Sequence, residues 1–192
     1  MRTTYLFVAI AFLEACTSAP NKSATETVKM ADSTPAKREM LTYPYKAAYS
    51  SDFEIGDPKN AQTVLELYKN WDANTVDNSK SSFAETDTMY FSDGSMFAGN
   101  RDSLFAVANK MRGQMGTVVN SIHAWLPLRS KDKQENWVII WTRETSTDAK
   151  GKTTAKELQE TWRLDENGKI NLLYQYTQLP PKMMASSPAK KK

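Results

Sequence analysis

Between Thr117 and Gln178 the chain repeats one pattern, and that pattern limits its fold more than any other feature. Four long runs rich in β-branched and aromatic residues follow one another: VVNSIHAWLPLR, NWVIIWTRETST, TAKELQETWRL and INLLYQYTQL. Each alternates side chains in the two-residue period of a strand. Two of the breaks, Asp148-Ala149-Lys150-Gly151-Lys152 and Asp165-Glu166-Asn167-Gly168-Lys169, fit a three-residue hairpin loop. Such a loop is a type I turn followed by glycine in the left-handed region. The runs are therefore expected to form an antiparallel meander.

Closing the first loop at Asp148 and Lys152 sets Glu144 opposite Lys156 and Arg143 opposite Glu157. Two opposite-charge cross-strand pairs from one register support it. Closing the second loop sets Trp162 opposite Leu172, Glu160 opposite Tyr174 and Leu158 opposite Tyr176. One face then carries Val138, Ile140, Thr142, Leu158, Glu160, Trp162, Leu164, Ile170, Leu172, Tyr174 and Tyr176. This is the expected core face. The other carries polar residues beside a stripe of Trp137, Ile139 and Trp141, with His123 and Trp125 pointing the same way. An exposed stripe of that kind marks an interaction surface, here for a homodimer, unless the Tyr43–Tyr49 segment covers it.

Glu160 is the anomaly on the core face. A lone carboxylate among apolar walls must find a partner, meet water in a cavity or take up a proton. It is therefore the expected polar centre of a ligand pocket, with Tyr174, Trp162, Tyr176, Trp71 and Tyr90 around it. Alternatively it is a structural anchor bonded to a tyrosine hydroxyl or a helix N-terminus.

Upstream of the meander the pattern changes to helical. Asp57-Pro58 is an N-cap followed by proline at the first helical position, and Ala61, Val64, Leu65, Tyr68 and Trp71 then share one face. Residues 74–84 read as a short, weaker helix. Thr88–Ser92 reads as a strand, Asp93-Gly94 as a two-residue hairpin turn, and Asn100–Met115 as a helix. Its expected inner stripe is Leu104, Ala108, Met111 and Met115, with Gly116 at the C-terminal cap. With helices packed on one side of a curved sheet, the fold class is α+β.

Residues 1–15 read as an export signal. Arg2 gives a positive start, and Tyr5–Leu13 is an apolar run too short to span a bilayer. The run ends at Leu13-Glu14-Ala15-Cys16, which resembles the lipobox of bacterial lipoproteins, although Glu14 departs from the usual residue type. Cys16 is the sole cysteine of the chain, so an intrachain disulfide is excluded. The expectation is lipid on Cys16, membrane anchoring through it, and a domain in the periplasm or at the cell surface. Residues 16–51 are rich in Ser, Thr, Ala, Pro and Lys and read as a flexible linker; 181–192 read as a basic tail.

The folded domain is placed at 52–180. The whole chain carries +3, yet residues 52–180 hold 15 Lys and Arg against 18 Asp and Glu. The basic surplus belongs to the flanks, so no nucleic-acid groove is expected.

The order of elements, with the Trp71 helix, Met89-Tyr90-Phe91-Ser92-Asp93-Gly94, Glu160-Thr161-Trp162-Arg163-Leu164 and Gly168-Lys169-Ile170, resembles the nuclear transport factor 2-like superfamily. The likeness is to its SnoaL-like branch of small bacterial proteins and covers about residues 55–180. It implies a cone-shaped α+β barrel whose mouth holds an apolar ligand, and pairing of two copies through the sheet. Some members isomerise or cyclise polycyclic ketones, while many others bind or assemble without catalysis.

Chemistry narrows little further. A single histidine, His123, and one cysteine do not supply a zinc site, and no glycine-rich phosphate loop opens a helix. No metal or cofactor is expected, and no catalytic set can be named. Asp93 invites a role as a proton-transfer base, but Asp-Gly is also a turn-forming dipeptide. Three readings stand: a lipid-anchored domain binding a small apolar ligand, an assembly module using the outer sheet face, or an acid–base isomerase or cyclase acting on a carbonyl compound.

Overall fold

A computed structural model describes residues 42–179. The expected signal segment, Cys16, the linker as far as residue 41 and the basic tail lie outside the described residues.

Strand β1 (Phe53–Ile55) precedes helix α1 (Pro58–Asp72), and a 3-10 turn follows over Val76–Ser82. Then come β2 (Phe83–Tyr90), β3 (Met96–Asn100) and helix α2 (Arg101–Gln114). The meander is β4 (Thr117–Ser130), β5 (Glu135–Thr147), β6 (Thr153–Leu164) and β7 (Ile170–Gln178). The architecture is α+β. The seven strands form one curved sheet in the order β1-β4-β5-β6-β7-β2-β3, which is not closed: β1 and β3 are its edges. All neighbours run antiparallel except β2 and β7, which are parallel. Strand β1 had no counterpart in the sequence reading; it pairs with Leu128–Ser130 at the end of β4.

Local chemistry explains the element ends. The Asp57 carboxylate accepts from Lys59 N at 2.9 Å and Pro58 follows it, as expected of an N-cap. Asn100 caps α2 in the same way, accepting from Ser103 N at 2.8 Å. Gly116 adopts φ +70°, and a Cβ there would come within 2.2 Å of Thr147 O. Only glycine fits that junction between α2 and β4.

The core lies between the helices and one sheet face. Val64, Val138, Ile140 and Ile170 are fully buried there, each contributing about 1.5–3 kcal/mol of transfer free energy. Helix α1 buries Ala61, Val64 and Tyr68, with Leu65 and Trp71 half-buried. Helix α2 differs from expectation: Leu104, Phe105 and Arg112 face inward, while Met111 is 47% exposed. Arg112 explains the shift. Its guanidinium donates to Trp71 O at 2.5 Å, Asp72 O at 3.0 Å and Gly116 O at 2.8 Å. It thereby ties the end of α1 to the junction between α2 and β4.

The first hairpin has the expected register, with Arg143 opposite Glu157, Glu144 opposite Lys156 and Arg143 Nη1 at 2.6 Å from Glu157 Oε1. The second starts as expected, with Leu164 opposite Ile170, and then slips by one residue at Asn171. Beyond this β-bulge, Trp162 faces Leu173, Glu160 faces Gln175 and Leu158 faces Thr177. Every later β7 side chain is on the opposite face from the one expected. A second bulge at His123 reverses the inner half of β4: Trp125 pairs with Ile140 and lies on the helix side, beside Ala61, Leu65 and Lys69. His123 stays outside, 3.3 Å from Glu157 Oε2. The Asp93-Gly94 turn is also corrected. Phe91 N donates to Ser95 O and Gly94 N to Phe91 O, so its loop has three residues, with Gly94 at φ +84°. It matches the two Asp-x-x-Gly loops downstream.

Candidate functional site

Between α1, α2 and the core face of the sheet lies a cavity of about 160 Å³. That exceeds the space one water needs by about tenfold, and a dry cavity of ~150 Å³ accommodates benzene. Leu67 and Trp71 line it from α1, Leu104, Phe105, Ala108 and Met111 from α2, Met89, Phe91 and Phe97 from the β2–β3 region, and Leu158, Trp162 and Leu173 from the meander. Val107 and Met111, about half exposed, stand at its rim. Its polar groups gather at one end: Tyr68, Asn120, Glu144, Glu160 and Gln175.

Glu160 is 5% exposed. The Tyr68 hydroxyl donates to its Oε2, and Gln175 Nε2 donates to its Oε1 at 2.7 Å. Burial raises its pKa; the bonds from Tyr68 and Gln175 oppose the shift, and the neighbouring Glu144 charge adds to it. Glu144 is half-buried and accepts from Trp71 Nε1 at 3.1 Å; its pKa is raised, chiefly by desolvation. Tyr68 is pushed well above the usual tyrosine range by burial and then by Glu160. Behind this group, Asp72 accepts from Asn120 N and from Asn120 Nδ2 at 2.7 Å. A carboxylate so held can orient a polar head or accept a proton. Among the described residues, no three His, Cys, Asp or Glu side chains come together as a metal site would need.

Helices on one face of an open, curved sheet form an arrangement shared with solved structures. One is a nuclear transport factor 2-like protein of unknown function from Exiguobacterium sp. 255-15, with 17% identity, a TM-score of 0.51 and coverage of 60% of this chain and 98% of that one. A protein from Jannaschia sp. CCS1 assigned as a SnoaL-like polyketide cyclase has 12% identity and a TM-score of 0.52, covering 66% of this chain and 90% of that one. AusH from Aspergillus nidulans has 10% identity and a TM-score of 0.53, covering 68% of this chain and 90% of that one. The fold is nuclear transport factor 2-like. At such identities the likeness reaches no further than the fold. No protein-family model matches the sequence, and no curated protein does.

Within the nuclear transport factor 2-like frame, the expected site residues divide. Glu160, Trp162 and Trp71 line the cavity. Tyr174, Tyr176 and Tyr90 do not. The Asn171 bulge turns Tyr174 and Tyr176 to the outer face, where Tyr90 stacks on Tyr174 with centroids 5.1 Å apart and Tyr176 is 57% exposed. They join Trp137, Ile139 and the 37%-exposed Trp141 there, while Tyr49 packs edge-on against Trp137 at 6.3 Å. Asp93 is exposed in its turn, accepting from Ser95 Oγ at 2.6 Å and from Ser95 N at 2.9 Å, which together lower its pKa.

Sequence reasoning missed Tyr68, Gln175 and Glu144 as site residues. Tyr68 was legible as core but not as a donor to Glu160. Gln175 was assigned to the wrong face by the unbulged register. Glu144 was absorbed by its cross-strand pairing with Lys156, which it keeps in register but not as an ion pair within 4 Å.

Proposed function

We propose that this chain is a membrane-anchored lipoprotein whose SnoaL-like domain holds a small, largely apolar ligand in its cone. The observation that carries the binding half is the cavity itself: apolar walls, and polar groups collected around one buried carboxylate, Glu160. Pockets that bind small molecules combine apolar walls with a few convergent polar groups. Benzyl alcohol is a fitting probe because one ring fills the space and Trp71 and Trp162 report from its walls. The expected result is a saturable change in tryptophan fluorescence that disappears in Ala108→Phe, whose added ring enters the cavity. A response that never saturates, or that survives Ala108→Phe with unchanged affinity, overturns the reading.

The anchoring half rests on the apolar run ending at Cys16. A single acyl chain binds a bilayer marginally, whereas the several chains of a lipoprotein hold firmly. Cys16→Ser is expected to move the protein from the membrane to the soluble fraction. A variant that stays with the membrane removes this half and leaves the binding half intact.

A further inference from the structure

Resting on that reading of the cavity, we propose that the ligand's polar head is an organic cation, an alkylammonium group on a small apolar or aromatic body. The argument is one of donors and acceptors. Two carboxylates, Glu144 and Glu160, face the cavity, and none of the described residues lining it is Lys, Arg or His. Neither acid has a salt-bridge partner among the described residues. Of the cations near Glu144, Arg112 has committed its guanidinium to three backbone carbonyls, and the exposed Lys156 across the strand forms no ion pair with it within 4 Å.

The donors on the walls are committed as well. The Tyr68 hydroxyl and Gln175 Nε2 go to Glu160, Trp71 Nε1 goes to Glu144, and Asn120 Nδ2 goes to Asp72. Only the second hydrogen of each amide remains. The Trp162 indole N–H lacks a partner, but its nitrogen has no accessible surface. Acceptors remain free: Glu144 Oε1 takes no hydrogen bond, and each Glu160 oxygen, bonded once, keeps a lone pair. A ligand with a carbonyl or anionic head would meet acceptors. One that donates, and carries positive charge, would meet what the site lacks. The aromatic side chains of Trp71, Phe91, Phe97 and Phe105 line the same space and suit a cation with an apolar body.

Benzylamine, protonated at neutral pH, and benzyl alcohol have nearly the same shape and differ in charge. Titrated into the full chain, benzylammonium is expected to bind at least tenfold more tightly. Glu144→Gln is expected to cut that preference, the ratio of the two affinities, severalfold. Equal affinities, or tighter binding of the alcohol, overturn the cation assignment and leave the cavity reading standing. Failure of both probes to bind at millimolar concentration overturns the two together. Should Glu144→Gln misfold, the comparison of the two probes on the unaltered chain decides alone.

Discussion

Two buried acids lie on the core side of this sheet, and they live differently. Glu160, on β6, is 5% exposed; Asp87, on β2, is 2% exposed. Glu160 receives a hydroxyl and an amide. Asp87 receives nothing: both its oxygens are buried without a partner, and Gly99 stands opposite it in β3. The closest opposite charge is Arg101, which donates through Nη1 to Phe83 O while its buried Nε stays unpaired. Burial raises both acids. In Glu160 the donors oppose the rise, whereas Asp87 has only the Arg101 guanidinium, which makes no ion pair with it, and climbs to about 7. Depth alone therefore does not separate a built site from a liability. The donors around the acid do.

The largest effect expected from this difference is at Asp87. Its folded pKa, about 7, lies above the ordinary 3.8, so the folded state keeps a proton that the unfolded chain releases. Stability from this group is complete below about pH 4 and is lost as pH rises through 7, amounting to about 4 kcal/mol at the alkaline limit. Asp87→Asn removes that dependence. Urea unfolding near pH 8 is expected to show the variant more stable by about 2–4 kcal/mol, with the two proteins converging near pH 4. If the variant is no more stable at the higher pH, Asp87 has a partner and the contrast with Glu160 collapses.

How far the sequence alone reached follows the same physics. Strand order within the meander, the Asp57 cap and the Arg143–Glu157 pair were legible, because local turn chemistry and charge each allowed one register. The β7 faces were not. Asn171-Leu172-Leu173 places apolar residues at adjacent positions, so either phase of β7 fills the core and alternation cannot detect the slip. The bulge is held by Arg163 Nε donating to Asn171 Oδ1 at 3.0 Å, a contact that no spacing announces. Glu160 could be found as a polar residue on an apolar face, since its own strand carries no bulge between loop and site. Its partners came from a helix facing and a register shift, which are tertiary facts. Asp87 escaped notice because Glu85-Thr86-Asp87-Thr88 are four polar residues in a row, and the strand expected over Thr88–Ser92 begins after it, whereas β2 runs from Phe83 to Tyr90.

A smaller effect is expected where Glu160 loses one of its donors. Tyr68→Phe keeps the ring that packs edge-on against Trp162 at 6.5 Å and deletes only the hydroxyl. The Glu160 carboxylate is left with Gln175, and an under-satisfied buried group costs about 1–3 kcal/mol. The loss has a direction in pH. Removing a bond to the ionised form pushes the already raised Glu160 further up, so the folded state resists losing that proton and stability falls as pH rises. The deficit of Tyr68→Phe is thus expected to be larger in alkaline than in acidic buffer. In a Glu160→Gln background the same substitution removes a bond to a neutral amide, and the pH dependence of the deficit is expected to vanish. A double-mutant cycle across the two positions measures this directly, the coupling energy growing with pH. Coupling near zero at every pH would mean that Tyr68 packs beside Glu160 without holding it, and the two acids would then differ in depth rather than in partners.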